Sequence, residues 1–245
     1  EAFVERMNQR AKELGMTDTH FVNCTGLPAE GHVTSAWDIA LMSRELIEKH
    51  PDIRRYTTIW MDTLRDGTFQ LANTNKLIRF YDGATGLKTG STDSAKYCLS
   101  ATAEREGMEL IAVVLKSPTG QQRFEDAKAL LNYGFANFTA WTPPEESCAA
   151  VPVTLGRADT VALRMEGDSV CVLEKSAVST VEAERRVPES LTAPVEEGQQ
   201  VGELIVRNGG ETLLTVPLCA AESVEAVTVF DLFGRFVRSV TGTGA

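Results

Sequence analysis

The 245-residue sequence predicts an α+β domain, an antiparallel sheet layered with helices, followed by a small all-β domain. Two observations carry this expectation. Strand-like runs at 86–91, 97–103 and 110–116 lie between segments of helical periodicity, and the last two flank the turn Arg105-Glu106-Gly107. Beyond Trp141-Thr142-Pro143-Pro144-Glu145-Glu146 the texture changes to short β-rich runs separated by Gly, Asp and Pro. The expected division is residues 1–143, a β-rich module over 147–224, and an amphipathic tail over 225–245.

Taken in order, Phe3, Met7, Ala11 and Leu14 recur at helical intervals, and Gly15 ends the run. A loop with its own Gly and Pro punctuation follows over 20–28. Ser35 can cap a second helix, with Asp38 three residues on; its apolar face is Ala36, Ile39, Ala40, Leu46 and Ile47, and Pro51 stops it. Residues 59–72 read as a hairpin around Arg65-Asp66-Gly67, and Asn73 to Leu77 opens a short helical turn. After the three strands, a helix over 121–133 places Phe124, Ala127, Leu130 and Leu131 on one face. In the second module the runs are 151–155, 160–165 and 169–173, then 201–207 and 211–218 flanking the hairpin turn Asn208-Gly209-Gly210. The segment 226–240 sets Phe230, Phe233, Val237 and Val240 at helical spacing.

Composition narrows the function classes. An apolar content of 43% supports a sizeable core, while a net charge of −10 argues against a nucleic-acid partner. No apolar run reaches membrane-spanning length. The cysteines (Cys24, Cys98, Cys148, Cys171, Cys219) show no Cys-x-x-Cys spacing and His20, His32 and His50 form no ligand pattern, so neither a metal nor another cofactor is expected. The chain opens directly in helical rhythm, which leads to the expectation of a truncated N-terminus and makes the lack of a leader uninformative about compartment.

Chemistry concentrates at Lys88-Thr89-Gly90, followed by Ser91. A ligand ending in a carboxylate needs a positive charge, a hydroxyl donor and close backbone approach in one place. Lys88 has the ammonium, Thr89 the hydroxyl, and Gly90 no side chain to obstruct a ligand. On a border strand, Gly90 and Ser91 can also pair with an extended peptide through the backbone. By itself the tripeptide is a weak signal that reads more readily as a solvated strand end.

Longer stretches carry a resemblance. His20-Phe21-Val22-Asn23 with Thr25-Gly26-Leu27, Asn73 to Ile78, Asp82 to Gly90, Tyr97-Cys98-Leu99, Leu110 to Val114 and Arg123 through Phe135 together resemble the low-molecular-mass penicillin-binding proteins. These are serine D-alanyl-D-alanine carboxypeptidases, and Lys-Thr-Gly is a signature they share with serine β-lactamases. Leu191 to Val195 and Gly198 to Leu204 resemble that family's β-rich C-terminal module. The resemblance implies a partial β-lactamase/transpeptidase-like domain followed by that module. It implies an exported enzyme of the bacterial cell envelope that removes the terminal D-alanine from peptidoglycan pentapeptides through an acyl-enzyme, and that β-lactams would acylate.

Within that family the nucleophile stands in Ser-x-x-Lys, with a partner motif Ser-x-Asn. No lysine here has a serine three positions before it, and no serine has Asn two positions after it. The expectation is that both motifs lie upstream of Glu1 and that this polypeptide alone is inactive. An N-terminal piece or a second copy would then cover exposed sheet edge or apolar surface. Lys88 would be catalytic as well as substrate-binding; Thr89 and Gly90 would hold the carboxylate, and the Ser91 N–H would be an oxyanion donor. Arg123 matches a family arginine and has two readings, a second cation for the carboxylate or a surface group on its helix. His20 and Asn73 match positions expected to fix loops by hydrogen bonds. Two departures stand out: Lys96 replaces a usual Gly, and Cys24 replaces a Pro or another small residue. The tail implies either an interfacial helix on the outer face of the cytoplasmic membrane or packing against the β-module. Competing functions are a β-lactamase or endopeptidase of the same superfamily, and a non-catalytic muropeptide-binding or scaffold protein.

Overall fold

The computed structural model describes residues 1–231. The chain forms two compact units, Glu1–Phe138 and the chain from Thr139 onward.

The first unit opens with α1 (Ala2–Glu13), and Leu14 and Gly15 close it by bonding back to the carbonyls of Arg10 and Lys12. The loop that follows is held by a reciprocal backbone pair between His20 and Val33. Helix α2 (Ala36–Lys49) starts where Ser35 accepts a hydrogen bond from the Asp38 N–H. Of the apolar stripe read from the sequence, Ile47 is buried, Ile39, Ala40 and Leu46 are half-buried and Ala36 is exposed, while Asp38 and Ser43 are buried beside them. Polar side chains on that face find partners: Asp38 Oδ2 accepts from Asp18 N and Thr19 Oγ1, and Ser43 pairs with Ser100 at 2.8 Å, although Asp38 Oδ1 has no partner. The short α3 (Arg54–Thr57) leads to a hairpin of β1 (Met61–Leu64) and β2 (Phe69–Ala72), then α4 (Leu77–Phe80).

The central sheet has three antiparallel strands in the order β3 (Ala84–Thr92), β4 (Lys96–Arg105), β5 (Met108–Ser117). Helix α5 (Gly120–Asn137) covers one face, capped by Thr119. Leu99, Ala101, Ala112 and Val114 of the sheet pack there against Phe124, Ala127 and Leu131. Leu130, expected on this face, is exposed, because the buried stripe runs 124, 127, 131 and leaves position 130 to one side. Strand alternation turns Ser100 to the opposite face, where Ser43 of α2 meets it.

β6 (Phe138–Trp141) pairs with β10 (Cys171–Glu174). The second unit continues with β7 (Val151–Thr154), β8 (Thr160–Val161) and β9 (Leu163–Met165) before β10. After it come β11 (Val181–Arg186), β12 (Leu191–Thr192), β13 (Gln200–Asn208) and β14 (Glu211–Ala220). Its largest sheet has the order β11-β13-β14-β9. Gly209 and Gly210 turn β13 into β14 with φ of 56° and 89°, angles that suit glycine. The core of Val151, Val161, Leu163, Leu204, Val216 and Leu218 is wholly apolar. Of the tail, residues 226–228 are not helical and 229–231 are; Phe233, Val237 and Val240 lie outside the described residues.

Candidate functional site

The strand carrying Lys88 is a border. Among the described residues only β4 bonds to β3, with Lys88 opposite Ser100, Thr89 opposite Leu99, Gly90 opposite Cys98 and Ser91 opposite Tyr97. Alternation therefore places Lys88 and Gly90 on the α2 side of the sheet with Ser100 and Cys98. Between that face and α2 lies a groove of about 650 Å³, walled by Ile39, Met42 and Leu46 of α2 and by Lys88, Thr89 and Gly90 of β3. The lysine, threonine and glycine are thus brought to one cleft.

Each contributes differently. Lys88 is exposed and its ammonium folds back to donate to the Thr89 carbonyl. Thr89 is only 8% exposed, and its hydroxyl lies 2.6 Å from that of Thr74. At Gly90 a built Cβ would meet nothing within 4 Å, and the backbone is not left-handed. Neither packing nor turn geometry requires glycine there; what its absent side chain leaves is open space. Ser91 is exposed at the border beside it.

Arg123 lies behind this border. Its Nη1 donates to the carbonyls of Gly90 at 3.3 Å and Cys98 at 3.2 Å, spanning β3 and β4 from the first turns of α5. The guanidinium carbon sits 4.7 Å from the centre of the Phe124 ring and 5.6 Å from that of Tyr97. Burial pushes its pKa below the ordinary arginine value, and its Nε is buried without an acceptor. Of the two readings open in the sequence, the surface one does not hold: this is a buried cation touching the border strand through backbone carbonyls.

Several participants escaped the sequence reading. Asn75 is buried and donates to the Gly86 carbonyl at 2.7 Å while accepting from the Leu77 N–H at 3.2 Å, so it locks β3 to α4. Asn73, read as a loop-fixer, does this by donating to the Thr57 and Ile59 carbonyls and accepting from the Asn75 N–H. His20 acts through its backbone alone in the pair with Val33. Cys98 lies opposite a bulge in β5: the two strands slip in register beside it, and its sulfur accepts the N–H of Lys116, which the ladder leaves over. All five cysteines are free thiols. Lys96, at the start of β4, has φ of +54°, a left-handed angle that glycine adopts without strain.

A family model described as D-alanyl-D-alanine carboxypeptidase matches residues 1–119, and one described as penicillin-binding protein 5, C-terminal domain, matches residues 144–226. The chain is 37% identical over 234 residues to D-alanyl-D-alanine carboxypeptidase DacF of Bacillus subtilis, covering 92% of this chain and 59% of that protein. Among solved structures, penicillin-binding protein 5 of Haemophilus influenzae is similar with a TM-score of 0.64 at 28% identity, over 91% of this chain and 66% of that one. Penicillin-binding protein D2 of Listeria monocytogenes, in its cefotaxime-bound form, has a TM-score of 0.51 at 40% identity, over 54% and 55% of the two chains. The chain spans about 60% of the length of the curated relatives it matches.

Proposed function

Since the chain belongs to the D-alanyl-D-alanine carboxypeptidase family of low-molecular-mass penicillin-binding proteins, we propose that its Lys88–Ser91 border holds the carboxylate end of a D-Ala-D-Ala peptide while a serine attacks the bond before it. The observation that carries the reading is the empty space over Gly90, beside an ammonium and a hydroxyl, on a strand with one side unpaired among the described residues. In this reading Lys88 and Thr89 grip the carboxylate, and the Ser91 N–H is one donor to the oxyanion. The serine oxygen bonds to the carbonyl carbon of the penultimate D-alanine, the C–N bond breaks, and the terminal D-alanine leaves with a proton. Water then hydrolyses the ester and frees the serine.

No Ser-x-x-Lys occurs in these 245 residues, and in the proposed reading the nucleophile is supplied from outside them. The same absence supports the rival reading, a protein that binds muropeptides without cleaving them. Because the substrate is peptidoglycan, the site of action is outside the cytoplasm. No helix among the described residues is long and apolar enough to cross a membrane.

The test is D-alanine release from a pentapeptide by the full-length gene product, alongside covalent labelling by a fluorescent penicillin. Release and labelling that both fall on Lys88→Ala support the enzyme. Peptide binding without release or labelling selects the non-catalytic protein, and no binding at all removes both readings. The 245-residue chain by itself is expected to take no label.

A further inference from the structure

The hydroxyls of Thr74 and Thr89 lie 2.6 Å apart, although fifteen positions separate them in sequence. Thr74 is exposed and is not what holds its own segment in place. Its neighbours do that: Asn73 bonds to the Thr57 and Ile59 carbonyls, and Asn75 to the Gly86 carbonyl. The result is a hydroxyl on a rigid splint, aimed at the one hydroxyl of the Lys88–Gly90 cluster.

A threonine hydroxyl has one proton and two lone pairs, so the pair shares one hydrogen bond in one of two senses. With Thr89 as donor, its remaining face is made of lone pairs and repels an anion. With Thr74 as donor, the Thr89 proton stays free for a ligand in the groove. A carboxylate bound beside the Lys88 ammonium selects the second sense, and each bond in the chain from Thr74 through Thr89 to the anion then strengthens the other.

We infer that Thr74 is a positioning residue: it donates to Thr89 and so turns the Thr89 proton toward a carboxylate seated along β3. The inference rests on the function proposed above and deepens it, because it makes selectivity for a free acid terminus depend on a residue outside the Lys-Thr-Gly tripeptide.

The experiment compares a peptide ending in D-Ala-D-Ala acid with the same peptide as its C-terminal amide, using the full-length gene product. The readout is the ratio of kcat/KM for acid over amide. Thr74→Val keeps the shape but removes the donor, and lowers this ratio about five- to tenfold, chiefly through KM on the acid. Thr74→Ser keeps the ratio, and Thr74→Ala repeats the loss should the valine variant not fold. An undiminished ratio in both donor-less variants overturns the inference while leaving the proposed function intact. So does an equal loss on acid and amide, which marks a structural role, or a failure of Thr74→Ser to preserve the ratio. An unsubstituted protein that cleaves neither peptide, or cleaves them equally, overturns the functional reading and this inference with it.

Discussion

The guanidinium of Arg123 and the carbonyl of Gly90 are hydrogen-bonded at 3.3 Å, which ties α5 to the border strand from behind the cleft. The same nitrogen holds the Cys98 carbonyl, so one side chain keeps β3 and β4 in step where the ligand would lie. Arg123→Ala leaves both carbonyls without this donor and opens a gap between Tyr97 and Phe124. The expected cost is about 2–3 kcal/mol, read by denaturant unfolding. Arg123→Lys, which lacks the planar fork, is expected to recover only part of it. Wild-type stability in the alanine variant would show the contact to be idle.

Gly83 and Gly90 stand at opposite ends of the same strand region and answer to different demands. Gly83 has φ of +75°, and a Cβ there would collide with the Glu104 carbonyl oxygen. Gly83→Ala is expected to cost more than about 1–2 kcal/mol, the strain of a left-handed non-glycine residue alone. Gly90→Ala is expected to change stability by less than about 0.5 kcal/mol, yet to weaken binding of a D-Ala-D-Ala peptide. Paired melting and binding measurements separate the two; equal destabilisation would mean Gly90 serves the fold after all.

Lys96 occupies a left-handed position with a full side chain. Lys96→Gly removes that strain but frees the unfolded chain, so the net gain is up to about 1 kcal/mol. A rise in Tm of a few degrees is the expected reading, and a fall would assign the lysine a contact worth more than its strain.

Asp231 and Thr228 cap each other at the start of the tail: the Thr228 N–H and hydroxyl bond to the carboxylate, and the Thr228 oxygen accepts from the Asp231 N–H. Arg157 adds an ion pair at 3.2 Å. The Thr228 backbone bond leads these in lowering the Asp231 pKa from 3.8 to about 2. A carboxyl whose folded value lies below its unfolded value stabilises above the unfolded value and loses that contribution as pH falls through the folded one. The cap is therefore intact at pH 5 and dissolves between about pH 4 and 2. A carboxyl-carbon NMR titration of Asp231 checks it; a midpoint near 4 would mean the cap does not form in solution.

The central sheet was legible because its strands announce themselves by β-rich runs and by a turn between them. So was the Lys88 border, whose residue types state their chemistry. What escaped was burial decided by hydrogen bonding rather than hydrophobicity: Asp38 and Ser43 face inward on α2 because they find partners there, which an apolar periodicity cannot register. Strand β11 was missed for a related reason. As a border strand with mostly exposed residues, Val181–Arg186 has no alternation to show. The Thr74–Thr89 pair is invisible for another, since it joins segments through a fold that no local pattern describes.

The one-sided bonding of β3 has an evolutionary corollary. A side chain at position 90 would meet nothing within 4 Å and Ser91 is exposed, whereas Leu99 and Ala101 on the adjoining strand belong to the core under α5. In the proposed reading, ligand preference can therefore drift by substitution at the rim while the layer beneath stays as it is.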